Sequence, residues 1–284
     1  MSDKNKPAIT GRYRGMPAQD GAGVKLTRVI NQPGLKHQDP FLMLDEFRSD
    51  NPDDYIAGFP PHPHRGFCTL TYMLAGQMEH KDSVGNTGIV EAGGVQWMKA
   101  ARGIIHAEMP KQEEGLMWGF QLWVNLPAAE KLSDPDWHDY PAATIPEIST
   151  PDSRIRVIAG DYADKTGPVN APGREFLMLD VILKPDAEVS LPSQGQQQRL
   201  AYVYKGSIDL NGERVERGEL LQLDTEAAIT LTAQDEAGVV LLAAKPIGEP
   251  IAQYGPFVMN SSAEIEQAIN DYQRGSLAAN QKLA

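Results

Sequence analysis

Short runs of β-branched and aromatic residues recur along the chain, each bounded by glycine or proline. In the first half they fall at Phe67 to Leu74, Gly88 to Val90, Gly94 to Met98 and Gly119 to Val124. In the second half they fall at Ile155 to Ala159, Phe176 to Leu183, Leu200 to Tyr204 and Gly238 to Ala244. Runs this short, punctuated by turn residues, predict strands. So many of them predict an all-β sandwich or barrel. Helical periodicity is confined to the end, where Ile265, Ala268, Ile269 and Tyr272 fall at i, i+3, i+4 and i+7. Ser261-Ser262 offer an N-cap, Glu264 sits early and Gly275 marks a stop. This stripe predicts a helix docked on the sheets, and residues 276–284 read as a frayed tail.

The stretch 133–152 carries four prolines (135, 141, 146 and 151) among acids and reads as a linker. Residues 1–135 are therefore expected to form one barrel, and 136–284 a second that carries the helix. The halves share a pattern. Tyr72-Met-Leu-Ala-Gly76 matches Tyr202-Val-Tyr-Lys-Gly206, and Glu91-Ala-Gly93 matches Glu216-Arg-Gly218. Each half reads as strand, glycine turn, strand, glycine turn, strand, as a duplicated barrel would.

Composition narrows the class. The chain has 284 residues, 41% hydrophobic and 23% charged, the balance of a globular protein with a sizeable core. No run approaches the ~18 apolar residues of a membrane span. The segment MSDKNKPAITGRYRG has no apolar stretch of the kind a signal peptide needs. The single cysteine, Cys68, excludes an intrachain disulfide, and a cytoplasmic location is expected. A net charge of −12 leaves few cations to neutralise phosphates, so direct nucleic-acid binding is not expected. Phosphate-loop, GxSxG and CxxC motifs are missing, which removes three familiar chemistries.

The candidate chemistry lies in two short pairs, His62-Pro63-His64 and His106-Ala107-Glu108. Side chains two apart on a strand share a face. Each pair thus projects two donors the same way, and inside a barrel all four converge. Three neutral imidazoles and one carboxylate suit a first-row divalent ion: Fe(II), Mn(II), Co(II), Ni(II), Cu(II) or Zn(II). Pro63 removes a ladder donor, as an edge or irregular strand start allows. The second half has no counterpart. Sliding the Tyr-x-x-x-Gly match back places Pro192 and Gln194 where His62 and His64 stand. Leu231 and Ala233 then fall near His106 and Glu108, and no histidine follows His138.

These segments resemble the cupin motifs, and more closely the pirin family. The similar pieces are DPFLMLDEF (39–47), FPPHPHRGF (59–67), GGVQWMKAARGIIHAEMP (93–110), FQLWVNLP (120–127) and GPFVMN (255–260). The resemblance implies two cupin barrels in tandem, facing each other, with metal only in the N-terminal one. It further implies Fe(II) held at His62, His64, His106 and Glu108. Family members are known as quercetin 2,3-dioxygenases and as transcriptional co-regulators. One departure stands out: most relatives carry an acid after HPHRGF, where this chain has Cys68. Counting four on from His64 puts Cys68 on the metal-facing side, as a neighbour tuning the ligands or a thiolate ligand. A small buried hydrophobe is the plainer reading.

Two functions follow. One is a dioxygenase acting on a flavonol-like or other enol-bearing aromatic, with Glu108 as proton acceptor. The other is a non-catalytic, iron- and redox-dependent regulatory protein that binds a protein partner. A metal-binding relative without activity is a third. His80, among charges in QMEHKDS, is expected on a solvated hairpin. His37 and His138 lack a partner two residues away. Trp97, Trp118 and Trp123 are expected in the core, though one could line a pocket for a flat aromatic. Arg65 and Arg102, which flank the ligand pairs, either close the pocket or pair with nearby acids.

Overall fold

The structure is a computed structural model and describes residues 8–169, 176–191 and 198–278. The expected alternation is realised as strands almost throughout. The chain begins with β1 (Ile9–Arg14), β2 (Met16–Asp20), β3 (Val24–Ile30) and β4 (Phe41–Ser49). Next come β5 (Phe59–His64), β6 (Phe67–Ala75), β7 (Gln77–Asp82) and β8 (Thr87–Glu91). β9 (Val95–Lys99), β10 (Ile104–Pro110), β11 (Met117–Asn125) and β12 (Asp136–Tyr140) end the first half.

The second half opens with β13 (Glu147–Ser149), β14 (Ser153–Ala159) and a small hairpin of β15 (Asp161–Tyr162) and β16 (Lys165–Thr166). β17 (Phe176–Leu183), β18 (Glu188–Leu191), β19 (Gln198–Lys205) and β20 (Ser207–Leu210) follow. β21 (Glu213–Glu216), β22 (Glu219–Leu223), β23 (Ile229–Ala233) and β24 (Ala237–Ala244) complete it. A hairpin of β25 (Ala252–Tyr254) and β26 (Phe257–Met259) then leads into α1 (Ser262–Gln273).

The two halves repeat one topology. The first has a seven-stranded sheet in the order β12-β9-β6-β11-β4-β3-β2 and a four-stranded sheet β5-β10-β7-β8. The second has β1-β22-β19-β24-β17-β14-β13 and β18-β23-β20-β21. Strand for strand, β6 corresponds to β19 and β7 to β20, as the Tyr-x-x-x-Gly match predicts. Gly76 and Gly206 end the matched segments at φ 85° and 65°, a left-handed turn that disfavours any side chain.

The compact units differ from the expected ranges in three respects. The boundary falls between Ala142 and Ala143, because the proline-rich stretch is not bare linker. Its strand β12 pairs with β9, and Trp137 packs on Met98, Ala100 and Ile104. The terminal segments also change sides: β1 joins the second unit at the edge strand β22, and the chain from Ile247 joins the first. The helix therefore docks on the first unit. Ile265 and Ala268 bury against Phe257, Met259 and Leu277. Ser261 caps the helix as predicted, accepting from the Glu264 amide at 3.3 Å. Non-local contacts decide all three: β12 and β1 cover the open edges at β9 and β22, and the C-terminal segment is bridged to Arg65 at Phe257.

Lys131 locks the C-terminal hairpin in place. The residue is 1% exposed, and its ammonium donates to Gly66 O at 2.7 Å, Asn125 Oδ1 at 2.6 Å and Val258 O at 2.9 Å. Three protons meet three acceptors, which is what burial of a lysine requires.

The interior of the second barrel is apolar. Register gives the equivalences: Glu108 pairs with His80 on β7, and Leu231 pairs with Leu210 on β20. His106 pairs with His62, and Ile229 pairs with Leu191. The counterparts of His62, His106 and Glu108 are thus Leu191, Ile229 and Leu231, two residues upstream of the Leu231–Ala233 expectation. All three lie in one hydrophobic cluster. Pro192 and Gln194 lie outside the described residues. Among the described residues no helix is long and apolar enough to cross a membrane.

Candidate metal centre

β5 and β10 run antiparallel with His62 opposite His106 and His64 opposite Ile104. Alternation turns His62 and His64 to one face, and the cross-strand register delivers His106 beside them. Nitrogens of the three rings all lie within 4.8 Å of one another. Ring centroids are 4.7 Å apart for His62–His64, 4.3 Å for His62–His106 and 4.9 Å for His64–His106. A bulge between His106 and Glu108 shifts the register at that point. Glu108 Oε2 lies 4.0 Å from His106 Nε2. The four residues expected from the spacing are brought together, three as a tight cluster and Glu108 beside it.

The donor set fits a divalent cation. His62 Nδ1 lies 2.8 Å from the Pro60 carbonyl, which can only accept, so Nδ1 carries the proton and Nε2 keeps a lone pair. Burial, with the neighbouring imidazoles adding to it, holds His64 and His106 well below the ordinary histidine value. Both are therefore neutral near pH 7, the form that coordinates metals. His106 Nε2 is buried with no hydrogen-bond partner, and the Nε2 atoms of His62 and His64 face each other at 3.0 Å. An orphaned buried nitrogen is rare in folded proteins, and a cation held by these three nitrogens would satisfy it.

The carboxylate is held from the opposite sheet. Thr71 Oγ1 on β6 lies 3.0 Å from Glu108 Oε1 and 2.6 Å from Gln121 Oε1, its one proton shared between the two acceptors, and Gln121 Nε2 on β11 lies 3.5 Å from Glu108 Oε2. A cavity of about 980 Å³ reaches the site and is lined by His62, His64, Thr71, Glu108, Gln121 and Trp123 among others. That volume is at the upper end of small-molecule sites. Arg28 and Asp45 also line it as a bidentate pair, with N–O distances of 3.0 and 2.8 Å. Burial pushes Asp45 up to about 6, against the pull of Arg28.

Several residues sit otherwise than expected. His80 is fully buried, 3.3 Å from His106 between Nδ1 atoms, with its ring stacked on Trp137. The signal was available in QMEHKD: Met78, His80 and Asp82 alternate inward while Gln77, Glu79 and Lys81 are the more exposed set. The surrounding charges masked it.

Cys68 is buried on β6 and stands outside the histidine cluster. Phe67, whose ring centroid is 5.0 Å from His64, and Thr71 share the site-facing side of that strand. Alternation puts Cys68 on the other face. Gly66, at φ 91°, breaks the strand between His64 and Phe67, so a count of four across it changes face. Cys68 is a core residue.

Of the tryptophans, Trp123 lines the cavity, 5.1 Å from the His64 ring and stacked 4.3 Å from Phe67. Trp97 is buried, and Trp118 donates to Glu46 at 2.9 Å. His37 lines the cavity with Gln253, its Nε2 2.7 Å from Gln253 Oε1, whereas His138 pairs with Asp136 on the surface. Arg65 and Arg102 pair with acids: Asp271 at 2.7 Å and Asp134 at 2.8 Å.

Two antiparallel barrels of one topology, with a histidine cluster in the first and an apolar interior in the second, define a two-domain cupin protein. The model of the pirin family matches residues 23–124, and that of the pirin C-terminal cupin domain matches residues 178–278. A Pseudomonas aeruginosa protein with the provisional name quercetin 2,3-dioxygenase is 49% identical over 94% of this chain and 96% of its own. Human pirin is 38% identical over 89% of this chain and 88% of its own. A crystal structure of quercetin 2,3-dioxygenase from Acinetobacter baumannii superimposes with a TM-score of 0.89. It is 33% identical and covers 95% of this chain and 97% of that one. The chain belongs to the pirin family.

Proposed function

We propose that this protein is a metal-dependent dioxygenase acting on a flavonol-like aromatic, with His62, His64, His106 and Glu108 as the metal ligands. Fe(II) is the first-choice ion; Mn, Co, Ni, Cu and Zn compete for the same donors, and availability decides occupancy. The observation that carries the reading is the cluster itself: three imidazoles and one carboxylate meeting beside a cavity large enough for a flat polycyclic ligand. The names of the Pseudomonas and Acinetobacter relatives support the substrate class.

A bound redox-active ion supplies a Lewis-acidic position for a substrate oxygen and electronic contact with O2. The protein's own groups do the rest. Glu108 is the carboxylate in reach to accept the proton of an enolic hydroxyl, which leaves the ring electron-rich. Thr71 restrains one carboxylate oxygen and Gln121 approaches the other, so the group stays aimed at the cluster. Trp123 offers an aromatic face along the cavity wall. Phe67, stacked against Trp123 and edge-on to His64, keeps water from that side.

The test is O2 consumption. Protein loaded with Fe(II) under anaerobic conditions should consume O2 with quercetin, and His106→Ala should not. No consumption above the metal-free protein would remove the dioxygenase reading.

One observation favours a second reading, redox-dependent binding of a protein partner. The ligand strand continues into Arg65, which pairs with Asp271 on α1. A change of ionic charge at the cluster therefore has a short route to a surface helix. Pull-downs with the ferrous and ferric forms test it; identical partners and affinities count against it.

A further inference from the structure

We propose that His80 and Asp82 form an outer relay that sets the proton position on His106 and so prepares it as a ligand; this rests on the metal reading above. Asp82 is buried and surrounded by donors. Its Oδ1 accepts from the amides of Val84 and Asn86, each at 2.9 Å. Its Oδ2 accepts from Asn86 Nδ2 at 2.9 Å and lies 3.2 Å from His80 Nε2. An ionised carboxylate has only acceptors, so His80 Nε2 must donate. With the ring's proton placed on Nε2, Nδ1 is the bare nitrogen.

That nitrogen lies 3.3 Å from His106 Nδ1. Two bare nitrogens would repel, so His106 carries its proton on Nδ1 and donates it to His80. His106 Nε2 is left with a lone pair. It is this atom that is buried without a partner and lies 4.0 Å from Glu108. The chain Asp82–His80–His106 thus points one lone pair into the cluster. Metal-bound histidines usually donate their other N–H to an orienting group, and here that group is a second histidine backed by a carboxylate.

The ring of His80 is held in plane as well. Trp137 stacks on it at 5.5 Å and 19°. Gly88, paired with His80 across β7 and β8, makes room, because a Cβ there would meet Trp137 at 2.6 Å. Packing alone needs a flat ring at position 80. It does not need two nitrogens aimed at Asp82 and His106.

Long-range proton–nitrogen NMR of the metal-free protein reads the tautomers directly. His106 protonated on Nδ1 and His80 on Nε2 is expected; His106 protonated on Nε2 overturns the proposal. Ni(II) titration calorimetry gives a second readout. His80→Phe keeps the stacked ring and removes both nitrogens, and its Ni(II) affinity should fall by roughly 10–100-fold. His80→Asn, which can place an amide oxygen near the lost Nδ1, should recover part of that. Asp82→Asn keeps Oδ1 for the two amides but turns a donor toward His80. It should weaken Ni(II) binding and shift the Co(II) ligand-field spectrum.

Parent-like affinity in His80→Phe overturns the role of His80 and leaves the metal reading intact. A parent protein that binds no Ni(II) overturns the metal reading and this role together. Should His80→Phe fail to fold, Asp82→Asn and the NMR assignment decide the matter.

Discussion

Thr71 and Glu108 stand on different sheets of the first barrel, with the Thr71 hydroxyl 3.0 Å from Glu108 Oε1 and 2.6 Å from Gln121 Oε1. The hydroxyl bridges β10 to the larger sheet and restrains the carboxylate. Thr71→Val preserves shape and removes the donor. A buried acceptor left without its donor costs about 1–3 kcal/mol, so the melting temperature should drop. Metal affinity should also fall, by about tenfold or more, because an outer partner of a ligand is lost. Calorimetry with Ni(II) and thermal unfolding check both; an unchanged affinity contradicts the geometry assigned to Glu108.

The buried imidazoles give the metal-free protein a defined pH response. In the folded chain His64 and His106 lie well below the ordinary value of 6.5, chiefly through burial. Below that pH the unfolded chain takes up protons at these positions while the folded one does not. Stability is thus fully present above 6.5 and is lost as pH falls beneath it. Urea midpoints measured from pH 8 to pH 5 should decline, and His64→Leu should flatten the decline. A midpoint that rises toward pH 5 contradicts the assignment.

Cys68 faces the core rather than the cluster. Cys68→Ala should leave Ni(II) affinity within about twofold and lower stability by about 1 kcal/mol, a typical small core truncation. Cys68→Glu would place a carboxylate opposite Lys99 on the face turned away from the cluster and should not raise activity. A gain of oxygenase activity in Cys68→Glu would show that the residue reaches the site after all.

Trp123 is the aromatic that borders the cavity beside His64. If a flat aromatic substrate lies along it, Trp123→Ala should raise KM for quercetin by about tenfold or more, the worth of one stacked ring plus its buried area. The kcat should change less, since the cluster is untouched. An equal KM would place the substrate elsewhere in the cavity.

The two-apart pairs were legible from local spacing because alternation on a strand is a local property. His62 with His64, and His106 with Glu108, each needed only two residues of regular backbone. The same logic misplaced Cys68, since a glycine turn interrupts the alternation between it and His64. It also passed over His80, whose inward face follows from QMEHKD but whose charged neighbours suggest solvent.

The sequence by itself determined the strand-rich architecture, its duplication, the histidine cluster's members and the lack of a histidine counterpart in the second barrel. Hydrophobic alternation, glycine turns and residue chemistry are all written within a few consecutive positions. Only the tertiary structure decided which segments cover the edges at β9 and β22, which unit holds α1, and that His80 and Asp82 back His106. Those facts depend on hydrogen-bond partners and packing neighbours far apart in the chain, which no local pattern encodes.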